Sequence, residues 1–104
     1  MASGILGRVM LTASTAATAY TVPAGKTASV TVALCNQSAS DPSKIRIALS
    51  DSDTPSSNTY IEYDSNIPAS GVLERSAIVL AAGQKIVVRA TTSYVSAVVF
   101  GIEE

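Results

Sequence analysis

Few residues of this chain have the type and spacing to do chemistry. Glu62, Asp64 and Glu74 could supply the paired carboxylates that a glycosidase uses as acid and base. Glu62 alternates with Ile61 and Tyr63, which points it outward, and Glu74-Arg75 reads as cross-strand or intersubunit ion pairing. One Phe, four Tyr and no Trp leave little of the aromatic platform that a sugar cleft uses. Asp51, Asp53 and Asn58 share one polar loop, and acidic residues at alternate positions can hold calcium. The glycine and the distal glutamate of a helix-loop-helix calcium site are missing, so solvated loop carboxylates are expected.

Gly25-Lys26-Thr27 ends like a phosphate-binding loop. Tyr20 stands where that motif needs its first glycine, and a strand, not a helix, is expected to follow. Cys35, the one cysteine, closes an apolar strand without basic neighbours and reads as a structural thiol. With no histidine, neither a Ser-His-Asp nor a Cys-His arrangement can be assembled in one chain. Zinc sites of the usual His and Cys kinds are excluded on the same ground. The expectation is a protein that is not an enzyme, with no catalytic, cofactor-binding or metal residues and no cofactor.

The scaffold behind these residues is set by composition and period. The 104 residues suit one domain over residues 1–104. Apolar residues make up 47%, enough for a core, whereas charged residues make up 14%, against about 25% in ordinary soluble domains. Ser, Thr and Ala must therefore cover the surface, which suits packing against other subunits. The seven basic residues are scattered and the net charge is −1, so nucleic acid is not expected as a partner. No apolar run approaches the roughly 20 residues of a membrane helix, and no membrane partner is expected. Arg8 interrupts the early apolar stretch, so no leader is read and the chain is expected to be made in a cytoplasm. For that reason the glycosylation pattern Asn36-Gln37-Ser38 carries no weight.

Apolar residues recur every second position. Val30, Val32 and Leu34 share one face, as do Ile45, Ile47 and Leu49, and Ile86, Val88 and Ala90. Such alternation marks half-buried strands of antiparallel sheets. Turn signals at Pro23-Ala24-Gly25, 38–43, 52–58, 68–71 and Ala82-Gly83 cut the chain into short segments. Strands are expected at residues 5–13, 17–22, 27–36, 44–50, 59–64, 72–80, 85–91 and 95–102, with a turn or crossover, not a helix, around 13–19. The fold class is all-β: a two-sheet antiparallel sandwich of about eight strands, jelly-roll-like, with immunoglobulin-like connectivity as the alternative. In 72–80 the apolar parity switches, which predicts a bulge near Arg75-Ser76. In 95–102 both parities are apolar, so this strand is either central and covered twice or packed against another subunit.

One further pattern spans nearly the whole chain. It runs from Tyr20-Thr21-Val22-Pro23-Ala24-Gly25-Lys26 through Val30-Thr31-Val32 to Cys35-Asn36, then Lys44-Ile45-Arg46-Ile47-Ala48 and Tyr60-Ile61-Glu62-Tyr63-Asp64. Gly71-Val72-Leu73-Glu74-Arg75, Leu80 to Arg89 and a terminal Val99-Phe100-Gly101-Ile102-Glu103-Glu104 complete it. This order resembles small β-sandwich virion structural proteins of tailed bacteriophages. The resemblance implies a virion location and a homo-oligomer, a trimer among the options, bound to the major capsid protein or to tail proteins. A capsid decoration or cement protein is the first expectation. A tail or baseplate component, or a receptor- or carbohydrate-binding module using loops 38–43 and 52–58 grouped at one end, is the alternative. The expected assembly surfaces are a flexible N-terminal segment, 2–8, and the strand 95–102. Ile5, Leu6, Arg8, Val98, Phe100 and Ile102 are the candidate interface residues, and shared sheet edges are a second means of association.

Overall fold

The computed structural model describes residues 2–104. It consists of eight strands: β1 (Ala2–Met10), β2 (Ala17–Thr21), β3 (Ala28–Asn36), β4 (Ser43–Ser50), β5 (Tyr60–Ile67), β6 (Val72–Leu80), β7 (Lys85–Ala90) and β8 (Val95–Glu103). They form two four-stranded antiparallel sheets, β1-β8-β3-β6 and β2-β7-β4-β5. The all-β sandwich expected from the period-two pattern is therefore the observed fold.

The strand order resolves the connectivity that strand count leaves open. β1 pairs with β8, β2 with β7, β3 with β6 and β4 with β5, as in one long hairpin rolled over on itself. Pairings of β3 with β8 and β4 with β7 then stitch the roll into two sheets. Only β4 and β5 are consecutive strands lying in one sheet; every other connection crosses between sheets. This is jelly-roll topology, not the immunoglobulin-like alternative.

The core forms where the inward faces meet. Val32, Leu34, Ile45, Ile47, Ile86, Val88, Val95, Ala97 and Val99 are fully buried. Leu11, Val22, Ile67, Ile78 and Leu80 close its ends. Each fully buried Val, Leu or Ile contributes roughly 1.5–3 kcal/mol relative to exposure. Three polar side chains, Ser43, Ser50 and Asn36, are buried among the described residues, the largest being Asn36. Its Nδ2 donates to the carbonyl oxygens of Asp41, Ile67 and Pro68 at 2.9, 3.2 and 3.2 Å, and its Oδ1 accepts from Ser38 N–H at 3.1 Å.

The predicted bulge is present. Val30 pairs with Ile78 and Val32 with Arg75, leaving Ser76 and Ala77 opposite Thr31 alone, with Ala77 at φ 60°. The structure adds four more, and the distribution is systematic. Leu6 is the extra residue of β1, Ala19 of β2, and on β5 the Tyr63-Asp64 pair opposes Arg46 and Ile61 is a second extra residue. All four edge strands are thus bulged, while the central pairings β3·β8 and β4·β7 run without a shift. Bulges twist an edge away from regular pairing, so edge sharing is not the geometry this fold offers for association. The sequence-based expectation of shareable edges is corrected on that point.

A second correction concerns the N-terminal segment. Residues 2–10 are not a free arm: β1 pairs with β8 from Ala2↔Glu103 to Met10↔Ser96. The Leu11 N–H continues the tie to Val95 O at 2.9 Å.

Candidate interface on the outer face of one sheet

Strand alternation turns alternate residues of the β1-β8-β3-β6 sheet away from the core. Pairing registers then set these outward residues in rows. Ser3, Ile102, Ser29 and Val79 form one row, and Ile5, Phe100 and Thr31 the next. Arg8, Val98, Ala33 and Glu74 form the third, and Met10, Ser96, Cys35 and Val72 the fourth.

No element among the described residues covers this face. Ile5, Val72 and Val79 are 61%, 59% and 73% exposed, and Met10, Phe100 and Ile102 are exposed as well. β8 is central in its sheet, so its inner residues Val95, Ala97 and Val99 are buried while Val98, Phe100 and Ile102 face out. The doubly apolar strand is therefore covered once, and its second apolar face is open. Large open apolar faces on a soluble protein mark interaction surfaces. Two shallow depressions, of about 250 and 270 Å³, open on the same face, one beside Ser29, Val79 and Ile102, the other between Arg8, Met10 and Val98.

Five of the six candidate interface residues come together here: Ile5 pairs with Phe100, Arg8 with Val98, and Ile102 completes the column. Leu6 does not join them. As the bulged residue of β1 it turns inward and packs, half-buried, against the core. Met10, Val72 and Val79 are members that the sequence reading missed. The signal for two of them was present, because a bulge near Arg75-Ser76 is what puts Val72 and Val79 on one side of β6. Gly7 holds β1 in place from beneath. A Cβ there would collide with the Ala19 carbonyl oxygen, so only glycine lets β1 approach β2 this closely.

Among the described residues the strands of this face carry two outward charges, Arg8 on one edge strand and Glu74 on the other, both exposed and in the same row. Glu104 adds a third charge at the end of the face beside Ile102. Three strand spacings separate Arg8 from Glu74, about 14 Å, too far for an ion pair within the chain. Neither forms an ion pair among the described residues.

The opposite face of the sandwich differs. Lys44, Arg46, Lys85 and Arg89 lie on the outer side of β4 and β7, and Arg46 donates to Asp64 at 2.7 and 3.3 Å while stacking on Tyr63 at 4.0 Å. The hydrogen bonds from Arg46 hold the Asp64 carboxyl below the usual carboxylate range. Ala48 and Val87 point outward in register yet are buried. The 51–59 connection folds back over them: Asp53 accepts from the Thr18 hydroxyl on β2 and lies 3.9 Å from Lys85 Nζ. One sheet is thus charged and strapped, the other apolar and bare.

The remaining candidates are dispersed. Glu62 pairs with Arg75 at 3.2 Å across the rim between sheets, Asp64 with Arg46 on one face, and Glu74 lies on the other face. Arg75 therefore serves Glu62 and not its neighbour Glu74. No group of three or more Asp, Glu or Cys side chains placed to hold a metal occurs among the described residues. Loop 38–43 precedes β4 and loop 52–58 follows it, so the two lie at opposite ends of the sandwich instead of grouping at one. No helix is long and apolar enough to cross a membrane among the described residues. No family model, curated protein or solved structure matches the chain.

Proposed function

We propose that this chain is a non-enzymatic structural protein of a tailed-bacteriophage virion, oligomeric and located on the head as a decoration or cement protein. The observation that carries an assembly role is the bare apolar face built by Ile5, Phe100, Ile102 and Val79 beside a fully packed core. Burying such a face against another subunit stabilises an assembly by about 25 cal/mol per Å² of apolar surface removed from water. The virion assignment draws on the strand-and-turn resemblance, and jelly rolls recur in capsid proteins, a fold-level analogy. The opposing charged, loop-strapped face suits exposure to solvent.

The test is location. Mass spectrometry of purified particles from the phage that encodes the chain should detect it at many copies per virion. Electron cryomicroscopy should then place the jelly roll on the head lattice. Density at the tail tip would move the assignment to a baseplate component, and absence from the particle would overturn it.

A further inference from the structure

We infer that the outer face of the β1-β8-β3-β6 sheet is covered by a second copy of this chain, packed face to face about a two-fold axis parallel to the strands. The inference rests on reading this face as an assembly surface and names its occupant.

Three observations select this geometry. The first is the state of the edges. Every edge strand is bulged, so copies do not extend one another's sheets by regular pairing, and the open flat face remains.

The second is charge. A two-fold axis parallel to the strands, passing between β8 and β3, exchanges β1 with β6 and keeps each row opposite itself. Arg8 and Glu74 occupy one row on these two edges. Each Arg8 then faces Glu74 of the second copy, and these two charges gain a partner that their own chain cannot supply, while Glu104 at the end of the face lies opposite Thr27 of the second copy. A perpendicular axis in the same plane would set β1 against β1 and leave the arginines without that match.

The third is shape. The same axis exchanges β8 with β3. Phe100 then stands over Thr31 of the second copy and Val98 over its Ala33, large against small throughout the centre. The perpendicular axis would set Phe100 against Val98 and leave the small residues facing one another.

The area suffices. Four nine-residue strands cover about 19 by 30 Å, so two such faces bury about 1,100 Å², above the roughly 1,000 Å² of a specific interface. Aligned sheets pack within about 30° of parallel, which keeps Arg8 and Glu74 within side-chain reach.

Sedimentation equilibrium of the full chain tests this directly. The expected species has twice the chain mass of 10.6 kDa at about 100 µM, well above the Kd of a micromolar interface. Arg8→Glu and Glu74→Arg should each weaken dimerisation by about tenfold or more, and the double swap should restore it. Phe100→Lys should give a monomer, with circular dichroism and an unchanged unfolding transition showing that it is folded. A wild-type monomer at that concentration, a trimer, or a dimer indifferent to both charge reversals would overturn the inference. A monomer that still coats virions would sink the dimer and leave the virion role standing. A dimer absent from every particle would do the reverse.

Discussion

The Tyr20 hydroxyl on β2 donates to the Glu103 carboxylate on β8 at 2.6 Å, joining the two sheets near the chain terminus. Burial, then the hydrogen bond and charge of Glu103, push the Tyr20 phenol far above its ordinary value. In the unfolded chain Tyr20 releases its proton near pH 10, whereas in the fold it keeps it. The folded state then holds more protons than the unfolded one, so stability is full below about pH 10 and falls as pH rises beyond it. Tyr20→Phe should lose about 1.5–3 kcal/mol at neutral pH, the range for a hydrogen bond to a charged group. From about pH 10 to 11 it should lose about 1 kcal/mol less stability than wild type, because the tyrosine of the unfolded chain is half ionised at about pH 10 and mostly ionised at about pH 11. Urea unfolding across pH measures both, and parallel profiles would refute the coupling.

Asn36 is the hinge of one end of the roll. Its buried amide ties the end of β3 to the 37–42 loop and to the β5–β6 turn. Asn36→Ala should cost about 1–3 kcal/mol, since the carbonyls it serves lose their donor inside the protein. Asn36→Asp should cost at least as much at neutral pH, because a carboxylate cannot donate to three carbonyl oxygens, and should recover partly in acid. Denaturant midpoints at pH 7 and pH 4 compare the two variants.

Gly7 tests how β1 is seated. An added methyl would meet the Ala19 carbonyl oxygen, so Gly7→Ala should cost about 1–3 kcal/mol, the usual penalty for overpacking. Hydrogen exchange should accelerate in Ala2–Met10 and at the β8 amides it protects, with β4 and β7 unaffected. Uniform acceleration across both sheets would argue against local detachment.

Asp64 occupies a bulge at φ 54°, and Arg46 holds its carboxylate there. Its lowered pKa contributes stability that is present above the ordinary carboxylate pKa of about 3.9 and is lost as pH falls through the folded value. Arg46→Met should return the Asp64 titration, followed by carboxyl carbon NMR, toward that ordinary value. An unchanged titration would show that another group holds the proton off.

Alternation in Val30-Val32-Leu34 and Ile45-Ile47 determined that these segments are strands and which side enters the core, because pleating turns successive side chains to opposite faces. The parity switch in β6 announced its bulge for the same reason. The candidate interface was half legible. The two apolar parities of β8 marked one strand of it, but nothing local says that β8 lies between β1 and β3, because their pairing joins residues far apart in the chain. Leu6 was misplaced because its bulge depends on the register against β8, and N-terminal residues 2–8 were read as free because the partner strand lies at the other end of the chain. Period and composition thus decided element type, core and apolar content. Only the tertiary pairing decided that Ile5, Phe100, Val79 and Val72 share one uncovered surface, and that Arg8 and Glu74 face out from its opposite edges, since rows across a sheet are set by hydrogen-bond register between distant strands.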